Sequence, residues 1–146
     1  MTNILKGRWV FDSNLLIYGL DKSSSHFEDV YHLFELGKGG KVRIVVAQQN
    51  ISETVQAFVK GYKQSVEEVL FNIRGLLSEL DIDIISPVNK TYLRFFDLLS
   101  NSSKPSDIFD YYLVATMLDN GINRILTVNT KDFSKIPGIE AVNPFK

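Results

Sequence analysis

Apolar and polar positions along the chain switch repeatedly between a strand period and a helix period. Arg8–Asp12 is a short β-branched and aromatic run that ends on a carboxylate, and it reads as a strand. Ser13–Leu20 reads as a short helix with Leu15, Leu16 and Leu20 apolar. Ser23–Ser25 predicts the cap of a second helix, in which Phe27, Val30, Tyr31 and Phe34 share one face. Gly37, Gly39 and Gly40 are expected to end it. Val42–Val46 is almost wholly apolar, as in a strand covered on both faces. Gln48–Lys60 and Tyr62–Leu80 read as two helices broken near Gly61, the second with a stripe of Val66, Val69, Leu70, Ile73, Leu76, Leu77 and Leu80. Asp81–Ile85 predicts a third strand closed by Pro87, and Asn89–Leu99 an amphipathic helix. Asn101–Ser106 reads as a loop whose Ser106 caps a helix running to about Leu118, where Asn120 and Gly121 stop it. Arg124–Val128 is a fourth strand, Lys131–Ser134 a helical turn and Ile139–Val142 a fifth, edge strand. Strands and helices in alternation predict an α/β fold with a mostly parallel sheet of four or five strands, in one domain over residues 1–146.

Composition narrows this only a little. With 45% hydrophobic and 23% charged residues, the chain has the make-up of an ordinary globular protein. It contains no cysteine, which excludes disulfides, thiolate metal sites and a cysteine nucleophile. No apolar run approaches the roughly 20 residues a membrane helix needs, and Met1–Arg8 is unlike a secretory leader, so a cytoplasmic location is expected. Sixteen basic and 17 acidic side chains give a formal net charge of −1, without a polybasic block. A nucleic acid would have to be met by a local patch, a metal or a partner's charge.

Sites in parallel sheets form at the carboxyl ends of the strands. Asp12 ends the first strand, and Asn129 and Asp132 lie just past the fourth. Glu53 falls in the first turns of the helix after strand two, and Asp110 one turn into the helix that feeds strand four, with Asp107 a turn earlier. Ordinary roles are open to most of them. Asp12 suits an N-cap, Glu53 a solvated helix position, Asp132 a cap ahead of Phe133, Asn129 a loop, and Asp107 an acid complementing the helix dipole. Asp110 is the hardest to explain so, because Ile108–Leu118 is apolar nearly all round and offers no Lys or Arg to pair it. A buried carboxylate is costly unless paired or ligated. His26 and His32 do not share a helix face, and neither a Ser-His-Asp arrangement nor a phosphate-cradling glycine loop is present. A rim of carboxylates without His or Cys suits a hard cation such as Mg²⁺ or Mn²⁺, which also offsets the repulsion among clustered acids.

The stretch Val10–Tyr18 resembles the opening strand and helix of PIN domains, VapC-like toxin ribonucleases in particular. Ile51-Ser52-Glu53 is similar to that family's second acidic motif, Asp107–Thr116 to its third, and Ile125–Phe133 to its closing motif. The likeness runs in order along almost the whole chain. It implies a PIN-like three-layer α/β/α sandwich and a Mg²⁺- or Mn²⁺-dependent endoribonuclease that leaves a 5′-phosphate and a 3′-hydroxyl. By this resemblance Asp12, Glu53 and Asp110 hold the metal, Asp132 or Asn129 completes the acidic site, and Asp107 adds an outer carboxylate. Ser13 and Thr127 match supporting hydroxyls and Asn14 an orienting residue. Asn129 departs from the many members with an acid there. A homodimer, an RNA substrate and a silencing antitoxin protein are also implied. Lys38, Lys41, Lys60, Lys63, Lys104 and Lys131 are candidate phosphate contacts.

Two other readings remain open. A haloacid-dehalogenase-type phosphatase also places an Asp after strand one and a Thr after a later strand, but Asn14 stands where that class has its second Asp. A non-catalytic PIN-like domain that only binds RNA or protein is suggested by Asn129.

Overall fold

The computed structural model describes residues 5–102 and 107–146. Five strands, β1 (Gly7–Phe11), β2 (Val42–Ala47), β3 (Ile82–Ile85), β4 (Arg124–Leu126) and β5 (Glu140–Val142), form one sheet in the order β3-β2-β1-β4-β5. Every pairing is parallel. Helices α1 (Ser13–Leu20), α2 (Phe27–Lys38), α3 (Gln48–Gln56), α4 (Val66–Glu79), α5 (Thr91–Ser100), α6 (Ile108–Asp119) and α7 (Thr130–Ser134) fill the connections. None of these described helices is long and apolar enough to cross a membrane.

The pleat sends alternate residues of each strand to opposite faces. Trp9, Phe11, Val42, Ile44 and Val46 pack with Leu15, Leu16, Val30, Leu33 and Phe34 of α1 and α2. Val10, Val45, Ala47 and Ile125 pack with Tyr111, Leu113, Val114 and Met117 of α6 and with Phe133. Two cores on one sheet make three layers, the α/β/α sandwich that the resemblance implies. Phe58, Val69 and Ile73 form a smaller cluster against Ile17 and Leu20, which fixes α4 to α1.

Several boundaries differ from expectation, each for a local reason. Asp12 lies outside β1 because its side chain caps α1. No side chain from Ser23–Ser25 caps α2, whose N-cap position is His26. That helix passes through Gly37 and ends at Lys38, and the chain then turns at Gly40 with φ +78°. The break near Gly61 is a π-helical turn, Ala57–Gly61, followed by Lys63 at φ +56°. The next helix therefore starts only at Val66, where the Ser65 hydroxyl accepts the Glu68 N–H at 3.2 Å. Val66 faces outward, off the buried stripe. The α6 cap is Asp107, which accepts the Phe109 N–H at 2.9 Å. The expected cap Ser106, like Lys104, lies outside the described residues. α6 is buried only from Tyr111 onward, and Phe109 is 67% exposed.

At the amino ends of the strands, Arg43 binds Asp83 through two nitrogens and reaches Asp81 with a third contact, and Arg124 lies over the Trp9 ring. At the carboxyl ends, β1 connects on to β2 and β3 on one side, while β4 and β5 lie on the other. The strand order reverses between β1 and β4, and in open parallel sheets such a switch point is where the crevice lies.

Phe133 has no exposed surface and pins α7 beneath this crevice. Phe133→Ala is expected to cost about 3–5 kcal/mol in urea unfolding. Removing the exposed ring of Phe71 is expected to change stability by no more than about 0.5 kcal/mol.

Candidate functional site

Asp12 sits at the mouth of the crevice and is only 6% exposed. Its backbone N–H donates to Leu126 of β4 at 3.1 Å, which fixes the residue between the two central strands. Oδ1 accepts from Ser13 N at 2.8 Å and from Asn50 Nδ2 at 3.3 Å. Oδ2 accepts from Thr127 Oγ1 at 2.7 Å and from Asn14 Nδ2 at 3.3 Å. Donors from α1, α3 and the end of β4 thus meet on one carboxylate. Burial pushes its pKa up, and the bonds from Thr127, Ser13 and Asn14 oppose that rise.

Thr127 is itself fully buried and saturated. Its oxygen accepts from Asn14 Nδ2 at 3.3 Å and from Asn129 N at 3.0 Å, so its proton is directed at Asp12. Asn14 spends its amide nitrogen on Asp12 and Thr127, which leaves Asn14 Oδ1 buried without a partner.

Glu53 projects from α3 beside Asp12. Partial burial and the Asp12 charge raise its pKa, while hydrogen bonds from Gln49, Asn50 and Ser13 lower it. Asp110, in the first turn of α6, is pushed up to about 7 by burial and then by the negative charges of Asp107, Asp12, Asp132 and Glu53. The other four acids named from the sequence thus all bear on Asp110, and Asp12 also bears on Glu53. Among the described residues, however, no group of three acids or imidazoles stands together at metal-ligand spacing. The acids share a field without forming a closed cage.

Two of these acids also have the capping roles open to them from sequence: Asp12 caps α1 and Asp107 caps α6. Asn129 occupies the N-cap position of α7 but makes no side-chain capping bond; its part is the backbone bond to Thr127. Two contributors lie in α3 and were not among the residues singled out from sequence. Asn50 is 0% exposed and touches both Asp12 and Glu53. Gln49 donates to the Phe109 carbonyl at 3.0 Å and ties α3 to α6. The polar run Gln48–Glu53 carries no periodic signal that would separate them from surface residues; only their place next to the end of a buried strand sets them apart.

No family model matches the sequence, and no curated protein is significantly similar to it. Solved structures do match. The structure of VapBC2 from Rickettsia felis, bound to a DNA fragment from its promoter, aligns over 93% of this chain and 98% of its own with a TM-score of 0.70 at 19% identity. A toxin–antitoxin complex from Klebsiella pneumoniae aligns over 94% and 98% with a TM-score of 0.65 at 22% identity. VapC20 of Mycobacterium tuberculosis, a sarcin-ricin loop cleaving toxin, aligns over 90% and 96% with a TM-score of 0.65 at 10% identity. The chain has the PIN-domain fold of these toxins.

The shared field has a thermodynamic signature in the metal-free chain. A carboxyl whose folded pKa exceeds its unfolded value stabilises the fold fully below the unfolded pKa, and that contribution is lost as pH rises through the folded pKa. For Asp110 the window runs from 3.8 to about 7. Stability measured by urea unfolding is expected to fall as pH rises from about 5 to about 8. Asp110→Asn should flatten that slope and stabilise the chain at pH 8 by on the order of 1 kcal/mol after solvent screening. An unchanged slope would contradict the coupling.

Proposed function

We propose that this chain is a Mg²⁺- or Mn²⁺-dependent endoribonuclease and the toxin of a toxin–antitoxin pair. The observation that carries the reading is the gathering of Asp12, Glu53, Asp110 and Asp132 on one rim at the crevice between β1 and β4, close enough that the other three all raise the Asp110 carboxyl. The likeness to VapC folds supports it by analogy of fold.

The donor set fits a hard divalent ion. Every donor on the rim is oxygen, and among the described residues one buried acceptor, Asn14 Oδ1, lacks a partner. Asp12, Glu53 and Asp110 would hold the ion, with Asp132 or Asn129 completing the set and Asp107 outside it. The 3.3 Å bond from Asn14 to Asp12 is longer than those from Thr127 and Ser13 and would yield first. When bound, such an ion supplies Lewis-acid stabilisation of charge on a phosphodiester and lowers the pKa of water.

The chain's own residues do the rest. Thr127 and Ser13 hold Asp12 in one orientation. An RNA phosphate brought to this rim meets the like charge of these acids, which a divalent ion would offset. The phosphatase alternative finds no acid two residues past Asp12, where Asn14 instead donates to it. The partners in this reading are RNA, an antitoxin protein and a second copy of the chain, with the outer face of α5 (Tyr92, Leu93 and Phe96, all exposed) available for contact. A cytoplasmic location goes with it.

The purified chain is expected to cut RNA in Mg²⁺ or Mn²⁺, leaving 5′-phosphate ends, and to stop in EDTA. Asp12→Asn and Asp110→Asn should each slow cleavage by about 100-fold or more. Mn²⁺ should raise the thermal midpoint of the wild type and not of Asp110→Asn. A chain that neither cleaves RNA nor is stabilised by Mn²⁺ would leave the non-catalytic reading standing.

A further inference from the structure

Asn50 lies in the first turn of α3, fully buried, where a polar side chain must satisfy every polar atom from within the protein. Its oxygen accepts the Ala47 N–H at 3.3 Å. That bond decides which way the amide points, because a backbone N–H tolerates only the carbonyl side. The nitrogen is consequently turned toward the rim, where it donates to Asp12 Oδ1 at 3.3 Å and to Glu53 Oε1 at 3.5 Å. Asp12 and Glu53 come from different elements and repel each other. A neutral group that donates to both offsets that repulsion at the point where they approach. α3 is also held to α6 through the Gln49 contact with Phe109, so the turn carrying Asn50 is anchored on two sides.

We infer that Asn50 is a positioning residue: its side-chain amide, oriented by Ala47, holds Glu53 in a fixed rotamer against Asp12. The inference rests on the proposed function for its purpose, since a fixed pair of carboxylates serves a cation. Its geometry can be tested without one. Groups that orient metal-binding carboxylates from behind typically change metal affinity by 10–100-fold when removed.

Two measurements on the full chain decide the matter. In the metal-free chain, side-chain ¹³C relaxation is expected to show Glu53 ordered in the wild type and mobile in Asn50→Ala, with backbone shifts of β1 and β4 unchanged. Should Asn50→Ala not fold, Asn50→Asp keeps an acceptor for the Ala47 N–H, loses the donor, and should release Glu53 likewise. Equal order of Glu53 in wild type and variant overturns the proposal, whether or not the chain binds metal. In the second measurement, Mn²⁺ binding read by electron paramagnetic resonance should weaken about 10–100-fold in Asn50→Ala and hardly further when Asn50→Ala is added to Glu53→Gln. Fully additive losses would mean that Asn50 does not act through Glu53, and would overturn the proposal. A wild type that binds no Mn²⁺ defeats the metal-dependent function, and the relaxation result alone then settles Asn50.

Discussion

A carboxylate removed from water has to find its hydrogen bonds inside the protein, and Asp12 finds them by drawing together the ends of three elements. β1 delivers it, the first turn of α1 supplies the Ser13 N–H and the Asn14 amide, α3 supplies Asn50, and the end of β4 supplies Thr127. None of these donors carries a charge. The carboxylate is steadied without being neutralised, and burial still outweighs the bonds that favour its charged form. That imbalance separates Asp12 from a carboxylate in an ion pair such as Asp83 with Arg43, where the guanidinium lowers the carboxyl pKa.

The sheet topology makes this arrangement possible. β1 is central and flanked by β2 and β4, so the helices leaving β1 and β2 start side by side, and the short α7 leaves from just beyond β4. Each start places an acid or an amide on the same rim. The opposing faces of the sheet are filled by separate apolar clusters, which fix the strands and leave the carboxyl ends as the place where polar side chains gather. The like charges on that rim oppose folding at neutral pH, and the apolar layers beneath them must supply the stability that the rim gives up.

Much of this is legible in the residues. The strand-like run ending in Asp12 and the apolar helix interrupted by Asp110 announce themselves because each places a charge where the surrounding pattern predicts burial. The parallel sheet follows from the alternation of short apolar runs with helical stripes. Other features depend on tertiary placement. Asn50 sits in a run of polar residues, and only the packing of α3 against Asp12 makes it internal. The late start of α4 carried a signal, Ser65 three residues before Glu68, but the apolar and aromatic residues from Tyr62 onward read equally well as helix. The π-helical turn Ala57–Gly61 has no comparable signature; it lies between α3 and α4, where Phe58 packs against Ile17 and Leu20.

The Thr127 hydroxyl that steadies Asp12 lies 115 positions further along the chain. During synthesis, strand β1 emerges first yet must wait in the middle of an unfinished sheet for β4 to leave the ribosome. Until then Asp12 lacks both the hydroxyl and the backbone carbonyl that seat it, and neither Asp110 nor Asp132 has a crevice to face. A nascent fragment ending before β4 thus holds Asp12 and Glu53 without the rest of the rim, and assembly of the site is deferred until β4 can join the sheet.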